Sequence, residues 1–348
     1  MKRTVAVAVS GGVDSMIAAH ILKQDDTNVF GLHFLTGFEP APAGRGALSA
    51  NSIGDQLGIP VHMVDVSADF KRSVVDYFSA AYLAGETPNP CIVCNPSIKF
   101  GVLLRHAQDL GAEHLATGHY AVVGRDAAGR YHLSKGADAR KDQSYFLARL
   151  TQAQLALARF PLGGLTKAEV REIAVRTGLQ PAVTDESQDV CFIKTGSYAA
   201  FIASMGGPPP EPGLIETVDG EIIGRHQGLH AFTVGQRRGI DCPAAEPYYV
   251  VRVDTARNRL IVGWKKDLMT AECRVARINW IAPPPEEPLH ARVRVRYRTP
   301  ETPATVIPLS ADSARVRFES PQAAVTPGQA AVFYDGDEVL GGGFISKP

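Results

Sequence analysis

The chain has no apolar run approaching the ~20 residues that a membrane-crossing helix requires, so no membrane partner is expected. It also has no net charge: 36 Lys and Arg balance 36 Asp and Glu over 348 residues. A polyanion would therefore have to be met by a local patch rather than by the average charge. Met1-Lys2-Arg3-Thr4 runs straight into a strand-like segment, without the apolar region and cleavage site of a signal peptide. Cysteine is scarce, five in all, an odd number without disulfide-scaffold spacing. A reducing cytoplasm is the expected compartment. The single C-x-x-C, Cys91 and Cys94, lacks a second C-x-x-C, which weakens a zinc-knuckle reading. Neither the Walker A spacing nor the three-glycine dinucleotide fingerprint is found. With 45% hydrophobic and 21% charged residues, what remains is an ordinary soluble chain, long enough for two or three domains.

What is there begins at residue 4. Val5, Val7 and Val9, spaced by alanines, predict a strand buried on both faces. Ser10-Gly11-Gly12-Val13-Asp14-Ser15 follows, and Met16 to Leu22 predicts an apolar helix. Strand, glycine turn and helix N-terminus together form an anion site, where the backbone approaches a phosphate and serines and free N–H groups donate to it. SGGVDS in this setting resembles the pyrophosphate loop of enzymes that adenylate a carbonyl oxygen. Asp14 reads either as a Mg²⁺ ligand near the pyrophosphate or as a helix cap.

Strands are predicted at 29–34, 61–66 and 113–117, with helices at 47–57, 70–83, 98–110 and 152–178. This alternation argues for an α/β fold, an open and mostly parallel sheet whose ligands lie beyond the strand carboxyl ends. Pro208-Pro209-Pro210 and Pro283-Pro284-Pro285 interrupt the chain. The expected division is a catalytic domain at 1–205, a small middle domain at 206–270 and an all-β, barrel-like domain at 271–348.

Two cysteines have suggestive surroundings. Cys94 lies between two prolines and a predicted helix with Lys99 nearby, a setting that favours thiolate. Cys191 sits in Glu186-Ser187-Gln188-Asp189-Val190-Cys191-Phe192-Ile193. Cys242 and Cys273 read as structural.

SGGVDS, TPNPCIVCNPSIKFG (87–101), ATGHY (116–120), KDQSYFL (141–147), ESQDVCFI (186–193), the HQG and TVGQRRG segments (226–239) and AAVTPGQAAVFY (323–334) appear in that order. Together they resemble the bacterial tRNA-uridine 2-sulfurtransferase (tRNA-specific 2-thiouridylase) family, over nearly the whole chain. The resemblance implies ATP-dependent adenylation of O2 of the wobble uridine, followed by sulfur transfer from a cysteine persulfide. By similarity, Cys191 carries the persulfide and Cys94 releases the sulfur, passing through a Cys94–Cys191 disulfide. Ala8, Val9, Ser10, Gly11, Gly12, Val13, Asp14, Ser15, Phe34 and Gly118 are implied as ATP contacts. Asn89, Pro90, Cys91, His119, Lys141, Asp142, Gln143, Arg296, Tyr297 and Gln329 are implied as tRNA contacts. His119 alone would read as a structural histidine. The implied partners are the tRNA anticodon arm and a sulfur-donor protein.

Arg292, Arg294, Arg296 and Arg298 alternate with Val293, Val295 and Tyr297, which in a strand makes a one-signed face suited to phosphates. Tyr297, on the other face, reads as core unless the strand ends there. Two departures from the family are visible. Cys91 stands where the family usually has aspartate, so Cys91, Cys94 and Cys191 form an alternative ligand set for a [4Fe–4S] cluster. Residues 35–51 lack the family's acidic and cysteine residues. The rival readings are a pyrophosphate-loop ligase acting on a small molecule and a non-enzymatic RNA-binding protein with a metal knuckle.

Overall fold

A computed structural model describes residues 3–25, 27–39, 45–181, 190–193 and 198–347, the side chains of 45–49 excepted. Glu186 to Asp189 of the second cysteine segment and residues 40–44 lie outside these. The run TVAVA forms strand β1 (Thr4–Ala8), buried on both faces. It is flanked in parallel by β2 (Asn28–Leu35) and β4 (His114–Ala116), with β3 (Val61–Asp65) beyond β2. The fifth position is taken by the two-residue strand Ala158–Arg159, parallel to β4. Helix α1 (Val13–Gln24) follows β1 directly, burying Met16, Ile17, Ala18 and Ala19.

The long helix expected over 152–178 is instead two helices, Gln152–Leu157 and Lys167–Thr177, separated by that edge strand. Pro161-Leu162-Gly163-Gly164 forbids continuity. A Cβ on Gly163 would lie on the Ala121 carbonyl, so this turn passes flush against its neighbour.

A four-stranded sheet at 213–263 forms the middle unit. The C-terminal strands close on themselves, because Met269–Trp280 pairs antiparallel with both Ser313–Ala323 and Glu338–Ile345. Its interior is apolar, with Val293, Val306, Val316 and Phe333 fully buried. The hairpin of Ala121–Arg125 and Tyr131–Lys135 leaves the first unit and extends the barrel sheet through Ser134 opposite Glu338. The fold class read from the sequence, a parallel α/β sheet followed by a small middle unit and a β-barrel, is the one observed.

The arginine alternation behaves differently from expectation. The strand ends at Arg294. Arg294 and Arg292 turn to Glu301, at 2.8 Å and 3.6 Å, and Arg294 also reaches Asp142 at 3.4 Å. The Glu301 side chain is 7% exposed and takes Lys135 as well, at 2.9 Å. Arg294 is thus committed within the fold, whereas Arg292 stays half-exposed. Tyr297, past the strand end, lies against Phe146 of the first unit with ring centroids 4.3 Å apart, outside the barrel interior.

Candidate active site

The glycine turn after β1 is shaped by its own residues. Gly11 takes φ +82°, a conformation open to glycine. Ser15 donates to the Gly12 carbonyl at 2.9 Å and receives the Ser10 N–H at 3.2 Å. Gly12 caps α1 without a side-chain bond, which leaves the first-turn N–H groups facing the loop, the arrangement that suits an anion. Ala8 and Val9 are buried beneath it, Val13 is half-buried, and Phe34, the penultimate residue of β2, is half-buried. Gly118, after β4, closes the other side. A Cβ there would lie 2.8 Å from the Asp14 carbonyl carbon and 2.9 Å from the Ser15 nitrogen, so the loop leaving β4 passes in contact with the start of α1.

Asp14 has partners that sequence reading missed. Lys167 donates to both carboxylate oxygens, at 2.7 and 2.8 Å, and the Tyr120 hydroxyl donates to one at 2.7 Å. With both oxygens engaged by a cation, Asp14 does not present itself as a Mg²⁺ ligand. Nothing in the T-K-A-E sequence around Lys167 points to a contact across the chain.

His119, next to Gly118, carries the site toward the cysteines. It is buried, with Nδ1 2.7 Å from Thr117 Oγ1 and Nε2 3.4 Å from Lys99 Nζ. An ammonium only donates, so Nε2 accepts and Nδ1 holds the proton given to Thr117. Burial, with the Lys99 charge second, holds His119 well below the ordinary imidazole range and therefore neutral.

Lys99 belongs to the segment that presents the C-x-x-C. The helix opens with Pro90–Cys94, then widens into i→i+5 turns over Asn95–Leu103 before closing again at Leu104–Asp109. Pro96 explains the widening, since it has no N–H to give and crowds the carbonyl four residues back. Displaced carbonyls are met by side chains: Gln154 donates to Pro96 and Phe100, at 2.7 and 2.9 Å, and Ser97 donates to Val93 at 2.6 Å. Cys94, the fifth residue of this helix, lies past the first turn where the helix dipole acts. The expectation of a low thiol pKa is therefore corrected. Burial pushes Cys94 up to about 12, while Lys99 pulls it down and Cys191 and Cys91 push it up. Cys91 is exposed as a residue, while burial of its thiol raises it to about 11, with Cys191 adding and Lys99 subtracting.

All three thiols thus feel one another. None of the five cysteines is in a disulfide, and Cys191 keeps an accessible side chain. Among the described residues no group of three or more His, Cys, Asp or Glu is placed to hold a metal ion. Nothing in this arrangement supports the alternative of Cys91, Cys94 and Cys191 as cluster ligands.

Beside them lies a cavity of about 240 Å³, lined by Phe78, Tyr82, Thr87, Pro88, Val190, Tyr198, Thr233, Arg296 and Gln329. Its aromatic wall is a cluster, Phe78 to Tyr82 at 4.8 Å and Tyr82 to Tyr198 at 5.5 Å. Thr87 and Pro88 precede Asn89-Pro90-Cys91, and Val190 precedes Cys191. All three units contribute to it. Gln329, buried, donates to the Thr87 carbonyl at 2.9 Å and so ties the barrel to the cysteine loop. A larger opening of about 360 Å³ in the middle unit, around Arg237 and Tyr248, touches none of these residues.

The remaining candidates divide. Asn89 and Pro90 are buried at the helix start and Arg296 lines the cavity, whereas Tyr297 packs against Phe146 and Tyr145. Lys141 is half-buried, and Gln143 accepts the Tyr120 N–H at 3.1 Å. Asp142 is 3% exposed and accepts from the Gly136 and Ser144 N–H groups, the Ser144 hydroxyl and Arg294. Its carboxylate is engaged inside the fold, by the Ser144 and Gly136 N–H groups and Arg294.

A family model described as "tRNA methyl transferase HUP domain" matches residues 3–195, one described as "tRNA methyl transferase PRC-barrel domain" matches 200–264, and an "Aminomethyltransferase beta-barrel domain" matches 270–345. The tRNA-specific 2-thiouridylase MnmA of Desulfosudis oleivorans is 53% identical over 342 residues, covering 98% of this chain and 94% of that one. The chain belongs to the tRNA-specific 2-thiouridylase family. Other members of this family are similarly close over their length. The 2-thiouridylases of Geotalea uraniireducens and Syntrophotalea carbinolica are 44% and 46% identical, covering 99% and 98% of this chain and 95% and 98% of their own. Membership in the 2-thiouridylases, rather than the methyl transfer named in two of the domain descriptions, accords with the paired thiols beside the cavity.

Proposed function

We propose that this protein is a tRNA-uridine 2-sulfurtransferase, converting the wobble uridine of tRNA to 2-thiouridine at the expense of ATP. The observation that carries the reading is the meeting of two chemistries. A turn suited to phosphate is linked through Gly118, His119 and Lys99 to the Cys91–Cys94 helix, and a cavity is lined by Pro88 and Val190, close in sequence to Cys91 and Cys191. A wobble base in a single-stranded loop leaves its stack at modest cost, and the half-buried Tyr198 offers it a ring to lie against.

ATP seats its phosphates on Ser10–Ser15. O2 of the uridine attacks the α-phosphorus, pyrophosphate leaves, and C2 becomes electrophilic. The terminal sulfur of a Cys191 persulfide adds to C2 and AMP departs. The Cys94 thiolate then attacks the Cys191 sulfur. The S–S bond to the transferred atom breaks, its electron pair stays on that atom as the thione, and Cys94 and Cys191 are left as a disulfide. A thiol reductant restores them, and a sulfur-donor protein recharges Cys191. Lys99 is placed to hold negative charge on sulfur in a crowded site where thiols otherwise stay protonated. The barrel and Arg296 are assigned to the anticodon arm, and the catalytic, middle and tRNA-binding units to 1–205, 206–270 and 271–348.

The alternative of a small-molecule ligase is separated from this reading by ATP–pyrophosphate exchange. Exchange that requires tRNA supports the sulfurtransferase, and exchange at full rate without RNA contradicts it.

A further inference from the structure

Lys167 is a buried ammonium that the proposed chemistry does not use. Its side chain is 7% exposed and forms an ion pair with Asp14, whose side chain is 33% exposed. The pair spans the fold, from the second residue of α1 to the first residue of helix Lys167–Thr177. Helix stability does not explain the lysine. A cation in the first turn has the wrong sign for the dipole of its own helix, which is instead capped by Thr166 and Glu169 in a reciprocal box. The backbone N–H of Lys167 is fixed separately, donating to Asp138 at 3.0 Å.

Asp14 has the opposite relation to α1. A carboxylate suits a helix N-terminus, but this end is also where the anion of the substrate must bind. Carboxylate and phosphate would compete for one positive helix end and repel each other. Lys167 removes that conflict by neutralising Asp14 with both oxygens bound, and the Tyr120 hydroxyl fixes the carboxylate from a second direction. Lys167 lies 6.0 Å from the Tyr120 ring centre, and Tyr120 follows Gly118 and His119 in sequence. The same contact thus braces both walls of the phosphate site.

We infer that Lys167 is a positioning residue that keeps the Ser10–Ser15 turn receptive to phosphate by neutralising and anchoring Asp14. The inference rests on the reading of this turn as the ATP site. Its test is ATP binding by calorimetry, without tRNA, on the full chain, for the wild type, K167M, D14N and the double variant. Removing one charge-assisted contact predicts about a tenfold weaker ATP dissociation constant for K167M. Because the lysine acts through the acid, D14N/K167M recovers most of that loss, to within about threefold of D14N alone. Hydrogen exchange of residues 10–16 in the nucleotide-free protein rises in K167M, a readout independent of binding. Wild-type ATP affinity and exchange in K167M would overturn the inference. So would a double variant as weak as K167M, which would mean that the ammonium meets the phosphates itself. If the wild type binds no ATP, the nucleotide reading fails, while the exchange result still decides whether Lys167 anchors the turn.

Discussion

One methyl group at residue 118 tests how tightly the phosphate site is built. In Gly118→Ala the new Cβ would stand 2.8, 2.9 and 3.0 Å from three backbone atoms of Asp14 and Ser15. Ordinary carbon contacts begin near 3.5 Å, so about half an ångström of separation must be found. No flexible side chain can give way, because the obstructing atoms are backbone at the start of α1. That helix is itself held by Met16, Ile17 and Ala18 in the core. Overpacking of this kind costs about 1–3 kcal/mol. The strain falls on the turn, the less buried partner, and moves the N–H groups that face the phosphates. Displacements approaching 1 Å in a reacting site cost up to about a hundredfold, so a rise of roughly tenfold or more in the ATP dissociation constant is expected. Calorimetry gives the affinity and thermal denaturation the accompanying fall in melting temperature. Wild-type ATP affinity in a folded Gly118→Ala protein would refute the close-approach argument.

Asp142→Asn keeps the size of the side chain but removes the charge facing Arg294, and breaking a buried pair of this kind costs about 3–5 kcal/mol. Denaturant titration should show the loss, while tRNA affinity of the folded fraction stays near wild type. His132 lies between Asp126 at 2.9 Å and Glu338 at 2.6 Å, joining the hairpin to the barrel. Hydrogen bonds that its imidazolium donates to the Asp126 and Glu338 carboxylates raise its pKa above 6.5. Its stabilising contribution is therefore complete below the unfolded value and fades as pH rises through the folded one. The stability gap between wild type and His132→Asn should be wider at pH 6 than at pH 9, and a gap that widens with pH would contradict the assignment. Lys99→Met removes the cation that opposes burial at Cys94. Its alkylation at pH 8 should slow severalfold relative to wild type; equal rates would show that Lys99 does not support the thiolate.

The large architecture was legible because its signals are local. Thr4–Ala8 reads as a strand buried on both faces, SGGVDS as a turn, and the proline runs as interruptions, each from residues a few positions apart. What escaped reading depends on distant contacts. Lys167 opens a helix in a run of ordinary helix formers, and only the folded chain brings it to Asp14. The helix expected over 152–178 failed because its period continues on either side of Pro161-Leu162-Gly163-Gly164, and those breakers were outweighed by the pattern. The arginine alternation had the right period but the wrong partners, since Glu301 lies across the hairpin from Arg294. For Cys94, the sign of the pKa shift was misread because proximity to a helix start and to Lys99 is visible in sequence, whereas burial is not. The cavity was invisible for the same reason: its walls come from residues as far apart as Phe78, Tyr198, Thr233 and Gln329.

The central claim is tested most directly by mass spectrometry of nucleosides from unmodified tRNA. The tRNA is incubated anaerobically with the protein, ATP, Mg²⁺ and sulfide, and wild type is compared with Cys94→Ala. The account predicts 2-thiouridine with wild type only when ATP is present, and none with Cys94→Ala. Absence of 2-thiouridine from an ATP-binding wild-type protein, or its formation at an undiminished rate by Cys94→Ala, would contradict it.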